Sequence, residues 1–500
     1  MPENLLYLLG DSCPVAIGSF LFSLGFSDFA YITRKRFVDF ARLSYNRFTD
    51  FAKGAGSRMF KRKIYGELQQ WKDTRAGRTA LLVEGQRRVG KSTVVEEFAK
   101  KAYKSYILID FSICSQEIRN LFNDISDLDF FFLQLQLLTN VRLEERNSVI
   151  IFDEVQLFPL ARQAIKSLVK DHRYDYIEIG SLISIKKNVK DILIPSEEQR
   201  IYMYPMDFEE FLWATGDSVT FPMLELLFSK QKPAGDGVHR KIMRNLRLYM
   251  LIGGMPQAVE TYLQENNFEA VDQVKREILQ LYEDDFYKID PSGRLSHLFD
   301  AIPAQLNKNT ARYTVSSVIP TLRPSTSLSL IAELLDSRTA LAAYHTSQPS
   351  AEMASYKDLT RFKLFLSDTG LFTTLMFKNK AFTENEIYKK LLSDKISANL
   401  GYLFENLAAQ MLTAGGYELY YHTFSSKDKS SNYEIDFLIA KSNKVVPIEV
   451  KSSNYKRHAS LDTFCQKYSA QIADKYILYT KDFQKEQDIR LLPIYMSPFI

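Results

Sequence analysis

Cysteine is nearly absent from this chain: three residues in 500, Cys13, Cys114 and Cys465, odd in number and far apart. That spacing supplies neither a disulfide framework nor a zinc ligand set, and a cytoplasmic location in a reducing compartment suits it best. Histidine is scarce as well, six scattered residues with no HxxxH or CxxC spacing, so no His/Cys metal centre is expected. Long apolar runs are also missing. Within the first 30 residues, LLYLLG and VAIGSFLFSLGF are interrupted by Asp11 and Pro14, and no basic segment precedes them. A membrane span needs about 20 apolar residues, so neither a transmembrane segment nor a secretory leader is read here. Nor is there an excess of one charge: 64 Lys+Arg against 60 Asp+Glu leave +4, too little to announce a nucleic-acid binder.

What is present points to several folded domains. Hydrophobic residues make up 46% and aromatic residues 13%, which excludes disorder, and the length exceeds the roughly 250–300 residues at which single cores stop growing. Residues 1–58 read as an apolar extension, buried or facing a partner, with Met59 as an alternative start. Strand-like runs at 80–84, 106–111, 148–152 and 176–179 alternate with helical periodicity across 59–215, the pattern of a parallel sheet with crossover helices. Helical periodicity dominates 216–294, with a turn at Gly253-Gly254-Met255-Pro256, and suggests a helical lid. Residues 295–380 mix short helices with the strand-like KLFLSD, and 381–500 return to α/β alternation. The fold class is therefore α/β.

Gly85-Gln86-Arg87-Arg88-Val89-Gly90-Lys91-Ser92 fits GxxxxGK(S/T) between an apolar strand and an amphipathic helix. In that setting Gly85 and Gly90 let the loop turn its N–H groups inward, Lys91 reaches the β and γ phosphates of ATP, Ser92 ligates Mg²⁺, and Thr93 follows in the first helical turn. SVIIFDEVQ, residues 148–156, is an apolar strand ending in two acids. Asp153 is expected to hold Mg²⁺ through water and Glu154 to take the proton of the attacking water. Ser181, at the end of the next strand, either senses the γ-phosphate or ends a turn.

YEIDFLIAKSNKVVPIEVK, residues 433–451, reads as a hairpin with a polar turn at 441–444. It sets Asp436 against Glu449 and Lys451, the last two on one face. An acid pair amid apolar neighbours repels unless a divalent ion neutralises it, and Mg²⁺ or Mn²⁺ suits oxygen ligands. Lys451 would then orient water or stabilise charge in the transition state. An ion pair on an edge strand is the simpler alternative. The basic runs Lys61-Arg62-Lys63 and Lys186-Lys187 read as solvated surface, with phosphate contact as the alternative.

GQRRVGKST, FDEVQ, EIGS, YPMDFEEFL (204–212) and IGGMPQAV (252–259) occur in the order seen in a family of prokaryotic AAA-type P-loop ATPases, which residues 59–500 resemble throughout. The resemblance implies a helical lid, a winged-helix-like segment carried by AIPAQLNKNT and FKLFLSDTGL, and a restriction-endonuclease-like C-terminal domain of the PD-(D/E)XK type. It adds Glu405, in GYLFENLAA, to the candidate catalytic set of Asp436, Glu449 and Lys451, with Gln466 a weaker member, and it marks Arg200 as a family arginine. It also notes a small polar residue at the position of Ser181. Two functions follow: a Mg²⁺-dependent ATPase coupled to a nuclease-like domain acting on DNA or RNA, or a nucleotide-dependent switch or protein-interaction module whose C-terminal domain is inert. Nothing in the sequence specifies an oligomeric state.

Overall fold

The computed structural model describes residues 59–180, 196–308, 312–378, 401–425, 432–453 and 455–500. Residues 1–58, together with Ser181, Lys186 and Lys187, lie outside them. Helix α1 (Ile64–Thr74) leads into β1 (Ala80–Glu84), then α2 (Lys91–Ala102), β2 (Ser105–Asp110), β3 (Ser148–Asp153), α3 (Pro159–Asp171), β4 (Asp175–Gly180) and β5 (Glu198–Tyr202). The strands pair in parallel in the order β2-β3-β4-β1-β5. β1, β3 and β4 are buried along their whole length, which explains why ALLVE and SVIIFD run apolar rather than alternating: both faces of a parallel sheet are covered by helices. α2 buries Val94, Val95, Phe98 and Ala99, and its outer face pairs Glu96 with Lys100 and Glu97 with Lys101, one turn apart.

Beyond β5, Asp207 and Glu210 form a reciprocal capping box at the start of α4 (Phe208–Ala214), so the acids of YPMDFEEF begin a helix. Helices α5 (Asp236–Ile252), α6 (Pro256–Glu265) and α7 (Phe268–Ile289) build the helical region after it. Among the described residues no helix is long and apolar enough to cross a membrane.

A second sheet has eight strands: β6 (Ala340–Thr346), β7 (Lys357–Leu366), β8 (Leu419–Ser425), β9 (Asn432–Lys441), β10 (Lys444–Lys451), β11 (Tyr476–Tyr479), β12 (Gln484–Glu486) and β13 (Ile489–Pro493), in the order β12-β13-β11-β10-β9-β8-β6-β7. The expected hairpin is β9–β10, antiparallel, closing with Lys444 opposite Lys441. β6 pairs in parallel with β8, so the β6–β7 hairpin, from the segment 295–380, extends the sheet of the segment 381–500 and hydrogen bonds cross the boundary drawn at 380. Two further helices matter below, α8 (Thr369–Met376) and α9 (Gly401–Ala414). One apolar core runs from Val94 and Phe98 through Tyr249 and Met250 to Leu407 and Phe437, joining both sheets.

Candidate functional site

The phosphate loop leaves the carboxyl end of β1. Gly90 caps α2 with a φ of 91°, a left-handed conformation that favours glycine. Gly85 serves differently from the expected turn: a Cβ there would collide with the Met203 carbonyl, so its small size admits β5's continuation against the loop. Lys91 Nζ donates to the carbonyls of Gly85 (2.9 Å) and Gln86 (3.1 Å). Burial lowers its pKa to about 8 against the upward pull of Glu154 and Asp153. The ammonium is therefore folded back on its own loop, held by groups it can exchange for an anion.

Asp153, at the end of β3, is hydrogen-bonded by Ser92, and its Oδ1 accepts the Glu154 amide at 2.9 Å. Burial raises the pKa of Asp153, and burial together with Asp153 raises that of Glu154. Glu154 sits at φ 50°, and its carboxylate accepts from the Gln156 side chain. Ser92 and Asp153 are adjacent oxygen donors of the kind Mg²⁺ takes, so these residues fit a magnesium nucleotide.

The loop's other members divide. Arg87 pairs with Asp285 of α7 at 3.1 Å, Arg88 (φ 69°) and Thr93 are exposed, and Val89 is buried in the core. Gln86 has a buried side chain, its Oε1 accepting from Ser367 Oγ at 3.0 Å. Its Nε2 is buried without a hydrogen-bond partner. Arg62 is neither solvated surface nor free for phosphate: it is buried, donates to the carbonyls of Val89 (2.8 Å) and Tyr204 (2.6 Å), and pairs with Glu210 at 3.2 Å. Lys63 is likewise tied to Asp207 and Glu209. Arg200 lies on β5, its Nε 2.8 Å from Glu198, with Glu84 3.9 Å from Nη1.

Sequence motifs far apart meet beside this loop. Gly254 N donates to Asp368 Oδ2 at 2.6 Å, and Asp368 also caps α8 through the Leu371 amide at 2.8 Å. Tyr249 OH donates to the Met206 carbonyl (2.8 Å) and accepts from Gln410 Nε2 (2.7 Å). A Cβ on Gly254 would strike the Met206 backbone, and one on Gly370 the Gly253 backbone. YPMDF, IGGMP and SDTG are thus parts of one buried junction between the helical region and the second sheet.

In that sheet, Asp436 Oδ2 accepts the Val450 amide at 2.8 Å and Lys451 Nζ lies 3.2 Å from Glu449. Both Glu449 oxygens are buried and no hydrogen bond satisfies either, the lysine's proximity notwithstanding. Glu405 of α9 stands near enough to feel the charges of Asp436 and Lys451. Two residues that were not expected stand here too: Glu434 of β9, and Lys363 of β7, which is paired with Glu434 and stands 3.8 Å from Glu405. Burial pushes the pKa values of Glu405 and Glu449 up to about 7 against Lys363 and Lys451 respectively. Gln466 is exposed. Among the described residues no group of three or more His, Cys, Asp or Glu is disposed to hold a metal ion. The C-terminal acids do not fit a divalent ion as they stand, because Lys363 already occupies their company.

Residues 77–212 match the family model described as AAA domain. Residues 243–381 and 400–496 match two models described as domains of unknown function, DUF8612 and DUF4143. No curated protein matches the chain. Among solved structures, the Thermotoga maritima RuvB Holliday junction branch migration motor aligns at 11% identity and a TM-score of 0.26, over 56% of this chain and 89% of that one. Caenorhabditis elegans PCH-2 aligns at 13% identity and a TM-score of 0.26, over 43% of this chain and 69% of that one. With its phosphate loop, its strand of paired acids and its parallel sheet, the segment 77–212 is an AAA domain.

Proposed function

We propose that the protein is an ATP-hydrolysing switch whose nucleotide state is passed to its C-terminal sheet. Lys91 and the loop amides bind the phosphates, Ser92 and Asp153 hold Mg²⁺, which would neutralise charge developing on the phosphates, and Glu154 takes the proton of the attacking water once Gln156 releases it. The observation that carries the switch is the hydrogen bond from Ser367 to Gln86. When Lys91 leaves the Gly85 and Gln86 carbonyls for a phosphate, the Gln86 peptide loses its donor. The same residue carries a buried unpaired Nε2, a group that costs roughly 1–3 kcal/mol to leave unmade. Re-aiming Gln86 then frees or repositions Ser367, next to the Asp368 cap of α8.

The test is hydrogen exchange across 362–376 with and without a slowly hydrolysed ATP analogue, in the wild type and in Gln86→Ala. A nucleotide-dependent change in protection that vanishes in Gln86→Ala, with nucleotide still bound, is expected. Nucleotide binding that leaves 362–376 unchanged in the wild type overturns the switch.

The helices Arg294–Asp300, Ile302–Asn307 and Pro324–Asp336 followed by the β6–β7 hairpin support a winged-helix-like reading of 295–380. The order α9, β8, β9, β10, helix Ala459–Lys467, β11 supports a nuclease-like reading of the C-terminal domain. Cleavage of DNA or RNA there has the unsatisfied Glu449 in its favour and Lys363 against it. Incubation with single- and double-stranded DNA and RNA, with ATP and Mn²⁺, should leave them intact.

A further inference from the structure

We infer that Lys363 is the resident cation of the C-terminal carboxylate cluster, standing where a divalent ion would otherwise be needed. Glu405, Glu434, Asp436 and Glu449 come from α9, β9 and β10; Glu449 is buried and the other three are half-buried, and four neighbouring carboxylates so far withdrawn from water require positive charge. Lys451 supplies part of it, beside Glu449. The rest comes from outside 381–500. Lys363 is fixed on β7 opposite Ala343, and β6 in turn pairs with β8, so the hairpin's register delivers the ammonium to the acids. Lys363 is only 6% exposed, and it bonds Glu434 with Glu405 3.8 Å away.

A divalent ion needs several oxygens at about 2.0–2.6 Å with lone pairs free for it. Here Glu434 is bound to an ammonium, Asp436 Oδ2 is bound to the Val450 amide, and any ion entering between them would be repelled by a buried positive charge that cannot retreat into water. The cluster is in this reading a structural tie. It clamps the β6–β7 hairpin to α9 and the β9–β10 hairpin, and it explains why the residue pattern of a metal site persists without the geometry of one.

Calorimetric titration of the full chain with Mn²⁺ should show no component that depends on Asp436, judged by comparison with Asp436→Asn. Lys363→Met should acquire one Mn²⁺ equivalent, lost again when Asp436→Asn is added. Thermal unfolding of each variant establishes that it is folded, and where Lys363→Met is not, Lys363→Gln, which keeps a donor for Glu434, takes its place. Asp436-dependent Mn²⁺ binding by the wild type overturns the inference whatever the variants do, and so does a folded Lys363 variant that gains no site. Absence of Asp436-dependent binding in the wild type together with the gained site upholds it.

Discussion

Lys91 is half-buried and Lys363 buried, in two regions that share the same chemical parts, carboxylates around an ammonium, yet they differ in what holds them. Lys91 leans on two backbone carbonyls, and burial takes its pKa down to about 8. Lys363 leans on carboxylates, and although burial opposes its charge, Glu405, Glu434 and Asp436 more than reverse that and raise its pKa above the ordinary lysine value. A cation on neutral carbonyls is unsatisfied and available to an incoming anion. One among carboxylates is already neutralised. The difference separates a binding site from a tie, although both regions read from the sequence as reactive.

Stability should break the symmetry most widely. Removing one partner of a buried ion pair costs about 3–5 kcal/mol, so Lys363→Met should lower the unfolding free energy on that scale, by denaturant titration. Lys91→Met in nucleotide-free protein should leave it unchanged or raise it, because an ammonium that is costly to bury is replaced by an apolar chain. Equal losses at the two positions would show that the comparison is empty.

Catalysis is the second contrast. Glu154→Gln should keep ATP binding and reduce hydrolysis ~10²-fold or more, as loss of a general base does, and Lys91→Ala should weaken binding itself. Glu449→Gln should leave ATP turnover within the scatter of the wild type. A Glu154→Gln enzyme that still turns over normally would remove that residue from its role.

How far these regions were legible follows from where their residues come from. The phosphate loop, the acids of β3 and the β9–β10 hairpin are local patterns: a strand's apolar run, a turn and a helix lie within a few residues of one another, and period and spacing report them. Arg62, Lys363 and Glu434 are not local. Arg62 reaches Val89, 27 positions on, and Tyr204, 142 positions on, and nothing in KRK says which lysine or arginine turns inward. Lys363 joins the C-terminal acids only because β6 pairs in parallel with β8, a pairing between Ala343 and Leu419 that no periodicity specifies. Gln86 sits inside a legible motif and still points elsewhere, since a motif fixes the backbone of a loop and leaves its side chains to the neighbours.

The junction that links the two regions gives a third test. Gly254→Ala places a methyl group against the Met206 backbone, which cannot swing aside as a side chain would, and overpacking of this kind costs about 1–3 kcal/mol. The melting temperature should fall, and hydrogen exchange should rise together in the Met206, Gly254 and Asp368 segments of the junction. Gly216→Ala, where a Cβ meets nothing within 4 Å but φ is 87°, separates steric collision from backbone strain. If the two substitutions cost the same, packing at the junction is not what Gly254 provides.

The smallest effect is the most specific. Lys275 of α7 is buried and, like Lys91, donates to carbonyls, those of Leu251 (2.6 Å) and Gly370 (3.2 Å), while burial takes its pKa down to about 8 from 10.5 in spite of Asp272 and Asp368. Between those two values the unfolded chain binds a proton at this position that the native chain does not, so stability from this group rises with pH. Its contribution is fully present above 10.5 and is lost as pH falls through about 8. Lys275→Met should therefore flatten the rise of unfolding free energy measured from pH 8 upward, and Lys91→Met should do the same in nucleotide-free protein. Saturating ATP then divides the two. A phosphate beside Lys91 keeps it charged and removes its share of the slope, whereas Lys275, enclosed between α5 and α8, is closed to the nucleotide and should keep its share. If ATP suppresses both slopes, the carbonyl-held lysines are not distinguished by access to an anion. If ATP suppresses neither, Lys91 does not meet the nucleotide.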